Sequence, residues 1–177
     1  MLCSIEHDDA PLTRMEHCYL GPEYSNDEIV SALDEAKVSY YRSKDIVSEV
    51  AKLLAHGKII GWFQGRSEVG ARALGGRSIL ASPLIQDMRD KVNSEVKHRE
   101  SWRPFCPSLI EESYGKYFGD APNSEFMILA FKLKEEFRSV LPSAVHVDGT
   151  ARPQSVSQVS NPRFHRLLSL FGKITGH

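Results

Sequence analysis

The chain has 177 residues, 41% apolar and 25% charged, with a formal net charge of −1. This describes one globular domain with room for a core and excludes a disordered chain. It also excludes any overall basic pull towards nucleic acid or a membrane surface, so an anion site must come from local clustering of cations.

Residues 1–24 show little periodicity and end in the turn pair Gly21-Pro22, which reads as an extended arm. Met1 to Glu6 has neither the charged start nor the apolar run of a signal peptide. Three widely spaced cysteines, Cys3, Cys18 and Cys106, form neither a disulfide framework nor a zinc pattern, which suits a reducing cytoplasm. Ser25 and Glu28 form a capping box, followed by Ile29, Leu33 and Ala36 at helical spacing. A second helix is expected over 43–56, with Ile46, Val47, Val50, Ala51 and Leu54 as its apolar stripe and Gly57 as its stop.

Lys58 to Gln64 reads as a buried strand and Ser78 to Ala81 as another. Residues 85–97 read as a helix with Met88 and Val92 inward. Arg103 to Leu109, with two prolines, reads as extended chain. Glu111 to Tyr117 is expected to be a short helix. Phe126–Leu133, Ala144–Val147 and Gln154–Val159 are strand candidates. The run Phe126 to Phe131 is far too short to span a bilayer. Asn161 caps a closing helix carrying Phe164, Leu167, Leu168 and Phe171.

Between the first two strands, Gly65 to Ser78 places Arg66, Arg72 and Arg77 among four glycines. Guanidinium forks match phosphate and carboxylate oxygens, and glycine lets backbone approach a ligand. An oxyanion cradle is one reading; a solvated turn is the other. Neither a P-loop nor a dinucleotide fingerprint is present. Asn93 and Lys97 stand four apart on one expected helix, and Arg103 follows it; Lys97 and Arg103 could clamp a polyphosphate. The plain reading is a charged helix end, above all for Arg99 and Glu100. In His146-Val147-Asp148-Gly149-Thr150-Ala151-Arg152, His146 and Asp148 would point to one side of a strand. They would supply only two metal ligands, too few for a site, so no metal is assigned. A turn at Asp148-Gly149 that delivers Arg152 is the stronger expectation.

These blocks are recognisable together. Gly61 to Arg66, Arg72 to Gly75 and Arg77 to Leu80 resemble the signature of the carbamoyltransferase C-terminal domain, the family of the nodulation protein NodU and antibiotic O-carbamoyltransferases. Lys97-His98-Arg99-Glu100 with Arg103-Pro104-Phe105 and Pro107-Ser108 resembles its second block, and His146 to Arg152 with Gln154 its third. The match runs from about Tyr19 to Gly176. The resemblance implies an α/β (α+β) fold: a YrdC-like twisted mixed sheet flanked by helices, over 25–177. Residues 1–24 would be the remnant of an interdomain linker. It implies ATP-dependent activation of carbamoyl phosphate to carbamoyl-adenylate, with magnesium brought by ATP. A separate N-terminal, iron-dependent domain, in cis or as a separate chain, would then transfer the carbamoyl group to a hydroxyl of a small molecule or sugar. The family's ligand contacts fall here on Arg72, Lys97, Arg103 and Arg152, with Lys97 and Arg103 as catalytic residues and Arg66 and Arg77 beside them in the binding loop.

This sequence departs from the pattern at Ser67, Ala71 and Cys106, all small or neighbouring changes. Members of the family continue past Thr175-Gly176 into an apolar strand and an Asn-Thr-Ser-Phe-Asn segment, so the domain is expected to be incomplete. Two further readings stay open: a nucleotide- or RNA-binding module of YrdC-like fold without turnover, and a truncated reading frame.

Overall fold

The computed structural model describes residues 14–177. The first thirteen residues of the expected arm, and Cys3 with them, lie outside that range.

Residues 14–24 have no regular secondary structure, yet part of this segment is docked. The Gly21 amide donates to the Ser67 carbonyl, the Ser67 amide to Pro22, and the Val69 amide to Cys18. The arm therefore leans on the arginine- and glycine-rich loop. Helix α1, Asn26–Glu35, starts at Ser25 with both halves of the expected capping box present. No residue of α1 is buried, so its apolar stripe is only half covered.

Helix α2, Ile46–Ala55, buries Val47, Val50, Ala51 and Leu54, while Ile46 stays exposed. It starts at Asp45, whose carboxylate accepts the Ser48 amide, two residues later than expected. Strands β1, Ile60–Phe63, and β2, Arg77–Leu80, pair antiparallel around the loop. Helix α3, Met88–Lys91, continues directly into a π-helical turn, Val92–Lys97, that ends at His98 in the left-handed region. Strand β3, Ser108–Ile110, leads through a 3₁₀ turn at Glu111–Ser113 into α4, Tyr114–Phe118. Short β4, Phe131–Lys132, and α5, Glu135–Arg138, follow. Strands β5, Thr150–Ala151, and β6, Gln154–Val156, precede α6, Pro162–Thr175.

The mixed α/β class is as expected. The described strands pair in three two-stranded ladders: β1 with β2 and β4 with β5 antiparallel, β3 with β6 parallel. Pro107 and Pro153 stand immediately before β3 and β6 and withhold ladder donors, which keeps these strands short.

Two strand expectations fail for local reasons. Of Phe126–Leu133, only Phe131–Lys132 is extended and paired. Met127 takes φ 53, which breaks the strand and turns its side chain into a small cluster with Cys18 and Leu74. Ala144–Val147 is a turn. There the Asp148 carboxylate accepts both the amide and the hydroxyl of Thr150, and the Gly149 amide closes onto the His146 carbonyl. Such short side-chain bonds compete with a ladder. His146 and Asp148 therefore do not share a strand face, and the Asp148-Gly149 turn is realised. The third candidate, Gln154–Val159, shortens to β6.

The main core lies between α2 and α6. Val47, Val50, Ala51 and Leu54 meet Trp62 of β1, Val156 of β6, and Phe164 and Leu167 of α6. Burying a side chain such as Phe164 contributes about 1.5–3 kcal/mol. Asn161 accepts the Phe164 amide and sets the start of α6. A second cluster gathers Tyr114, Tyr117 and Phe118 of α4 with Leu133, Leu141 and Ala151. Among the described residues, no helix is long and apolar enough to cross a membrane.

Candidate functional site

The Gly65–Ser78 loop is built from within. Arg77 donates to the carbonyls of Gln64 at 2.8 Å, Gly76 at 3.0 Å and Gly65 at 3.1 Å, and its guanidinium lies 3.6 Å from the Phe63 ring centroid. These contacts clamp the two ends of the loop together. Gly75 adopts φ +99 and sits against Phe164, where a Cβ would come within 2.4 Å of the ring. Only glycine meets both conditions, which ties the loop to the core through α6.

A chain of hydrogen bonds then joins distant segments. Trp62 Nε1 donates to Gln64 Oε1, Gln64 Nε2 to Asn161 Oδ1, and Asn161 Nδ2 to Tyr19 Oη. Tyr19 Oη donates to the Leu74 carbonyl, which also accepts Gln154 Nε2. Gln154 Oε1 accepts Ser108 Oγ. Burial pushes the Tyr19 phenol above its ordinary pKa, which keeps it the donor this chain requires. Gln154 thus bonds to the loop block through Leu74 and to the second block through Ser108, while itself standing in the third.

The expected site cations sit differently on this frame. Arg66 is exposed and donates to the Gly21 carbonyl at 3.1 Å. Arg72 is exposed on the outer part of the loop, with one long contact of 3.4 Å to its neighbour Ala71. Arg77 is committed to backbone carbonyls, so its described role is to shape the loop. Lys97 is exposed at the last position of the π-helical turn. Arg103 is exposed, paired with Glu100 at 3.0 Å and next to the exposed Trp102. Arg152, partly buried between β5 and β6, donates from Nε and Nη2 to Cys106 Sγ, each at 3.2 Å.

The expectation that Asn93 and Lys97 share a face is not met. Asn93 is fully buried, and its amide donates to the Ser101 and Arg103 carbonyls while its oxygen accepts Arg99 Nε. A primary amide with three backbone and side-chain partners is stable inside, whereas the Lys97 ammonium stays in water. Arg99 also stacks over Phe105, 4.8 Å from the ring centroid. Asn93 and Arg99 therefore shape the segment that carries Arg103, and the Cys106 thiol ties Arg152 to the same segment.

Sequence reasoning missed Glu68. Its Oε1 accepts the amides of Leu74 at 2.6 Å, Gly76 at 2.7 Å and Arg77 at 3.4 Å. The available signal was a lone acid inside a glycine-rich stretch whose backbone donors need an acceptor.

Two apolar clefts lie elsewhere. One of about 150 Å³ is lined by α2 and α6 residues with Ile79, Phe105 and Ser143; the other runs beside β3 and the end of α6. None of the six expected cations lines either cleft. The expected cations stand instead on the arginine loop, on the 97–106 segment and between β5 and β6. Among the described residues, no three of His, Cys, Asp and Glu gather as a metal-holding group.

The family described as Carbamoyltransferase C-terminus matches residues 51–177, and the chain belongs to it. An uncharacterised protein of Methanocaldococcus jannaschii is 43% identical over 171 residues, covering 94% of this chain and 28% of that protein. The nodulation protein NolO of Bradyrhizobium diazoefficiens is 41% identical over 173 residues, covering 94% and 31%. The 3'-hydroxymethylcephem-O-carbamoyltransferase of Streptomyces clavuligerus is 42% identical over 127 residues, covering 72% and 24%. The matched region therefore spans 24% to 31% of the length of these relatives.

Proposed function

We propose that this chain binds ATP and carbamoyl phosphate and carries out the first half-reaction of an O-carbamoyltransferase. Water and carbamoyl phosphate give carbamate and phosphate. A carbamate oxygen then attacks the α-phosphorus of ATP, and the bond to pyrophosphate breaks, leaving carbamoyl-adenylate. Arg72, Lys97, Arg103 and Arg152 are assigned to the phosphates. Lys97 and Arg103 neutralise charge on the departing pyrophosphate, and the others orient the reactants. A YrdC-like arrangement and a cytoplasmic setting belong to the same reading.

The observation that carries it is the Gln154 junction, which bonds the Arg72 loop to the Ser108 segment two residues after Arg152. The donor set fits an anion. It offers no carboxylate cage: Glu68 is engaged by amides and Glu100 by Arg103. Magnesium would then be held by phosphate oxygens and water, as it commonly is.

Transfer to an acceptor hydroxyl is assigned to the part of the relatives that this chain does not span. That part is the proposed partner, in cis or as a separate chain, and any iron would belong there. The test is calorimetry of this chain with ATP and with carbamoyl phosphate, followed by carbamoyl-phosphate-dependent ATP–pyrophosphate exchange with the partner domain present. Absence of both ATP binding and exchange would remove the reading.

A second reading rests on Trp102, 69% exposed beside Arg103, an arrangement on which an unpaired RNA base can stack. Binding of single-stranded RNA that weakens steeply with salt would favour it.

A further inference from the structure

Glu68 is the only acidic residue between Gly65 and Ser78. Its Oε1 accepts the Leu74, Gly76 and Arg77 amides, while the Gly75 amide between them donates to Ser78 Oγ at 2.9 Å. Four successive amides are thus satisfied by side-chain oxygens of the same loop. Backbone donors converging on one oxygen form the kind of nest that holds phosphates and other anions. Here the protein's own carboxylate occupies it. Gly76 is packed between that occupant and the chain beside it, since a Cβ would stand 3.0 Å from both Glu68 Oε2 and the Arg66 carbonyl oxygen.

The flanks of Glu68 are fixed from the other side. Ser67 exchanges backbone bonds with Gly21 and Pro22, and Val69 donates to Cys18. Both ends of the segment are therefore anchored, at 67–69 and at 74–77. What remains is the exposed bridge 70–73, which carries Arg72.

We propose that Glu68 is a positioning residue: its carboxylate fills the amide nest, closes the loop and holds Arg72 on a short anchored bridge where it meets the anionic ligand. The ligand half of this statement rests on the nucleotide reading above. Two consequences separate it from a general stabilising role. The nest amides are unavailable to substrate phosphate while Glu68 is in place. Removing the side chain leaves a vacancy shaped for a small carboxylate, so acetate in solution can take its place.

The experiment uses the full chain carrying Glu68→Ala, with Glu68→Gln and Gly76→Ala alongside. Amide hydrogen exchange over 66–78 and ATP affinity are both measured, with and without acetate, against sodium chloride at equal ionic strength. Glu68→Ala should speed exchange of the 74, 76 and 77 amides by about tenfold or more, since charge-assisted bonds are lost. ATP binding should weaken by about tenfold, and acetate, but not chloride, should recover part of both. Glu68→Gln, which keeps one acceptor oxygen, should fall between. Gly76→Ala, whose Cβ would press on both the Glu68 carboxylate and the Arg66 carbonyl, should loosen the same amides even if Glu68→Ala does not fold.

Unchanged exchange in both Glu68→Ala and Gly76→Ala, or equal recovery by chloride and acetate, would overturn the proposal. Loosened amides with unaltered ATP affinity would overturn the positioning of Arg72 while leaving the nucleotide reading in place. Acetate-sensitive amides in a protein that binds no ATP even as wild type would sink the nucleotide reading and leave Glu68 as the loop's closing group.

Discussion

The Gln154 side-chain amide donates to the Leu74 carbonyl at 2.9 Å, joining residues eighty positions apart in a fully buried contact. Because Gln154 also accepts from Ser108, one 2% exposed side chain holds three segments in register. Gln154→Leu should therefore lower stability by about 1–3 kcal/mol, the loss of two hydrogen bonds, one of them fully buried. Denaturant unfolding measures this, and ATP affinity should fall with it.

Arg72 and Arg77 stand five residues apart yet should respond oppositely to truncation. Arg77→Ala removes donors to three backbone carbonyls within 3.1 Å and should cost about 2 kcal/mol or more. Arg72→Ala should leave stability within about 0.5 kcal/mol and weaken ATP binding at least about tenfold. Paired thermal melts and calorimetry of the two variants decide between them.

Gly75→Ala combines φ +99 with a Cβ placed 2.4 Å from Phe164 Cδ1. Backbone strain and overpacking together should cost about 3 kcal/mol or more. A variant that melts like wild type would show that the loop is not seated on Phe164.

Tyr114 gives a pH dependence with a definite sign. Burial, with Glu125 adding to it, pushes its phenol up to about 12, so the neutral form is favoured in the fold. The resulting stability is fully present below the ordinary tyrosine range near 10. It is lost as pH rises through about 12. Alkaline unfolding followed by tyrosinate absorbance should show this window, and Tyr114→Phe should remove the share that Tyr114 contributes. Among the described residues the buried Tyr114 hydroxyl has no hydrogen-bond partner, so Tyr114→Phe should also leave stability at neutral pH unchanged or slightly higher.

Elements specified by neighbouring residues were legible in the sequence. Ser25 with Glu28, the apolar stripe of α2 and the Asn161 cap act within a few positions, so pattern and outcome coincide. The Phe126–Leu133 strand was not legible, because Met127 turns inward towards Cys18 and Leu74, far away in sequence. Ala144–Val147 failed for the opposite reason: bonds from Asp148 to Thr150 and from Gly149 to His146 close a local turn, and only Thr150-Ala151 beyond it joins a ladder. Both have apolar runs that suit a strand, and periodicity does not register what competes for the backbone.

The arginine and glycine blocks by themselves determined the family, since residue type and order belong to the sequence. Which arginine does what was decided only by the tertiary structure. Arg77 and Arg72 differ because one meets converging carbonyls and the other meets water. Glu68 became legible as the loop's closing group only when four amides were seen satisfied by the loop's own side chains, three of them by its carboxylate. A hydrogen bond needs its partner within reach, and a folded chain alone specifies which distant partner that is.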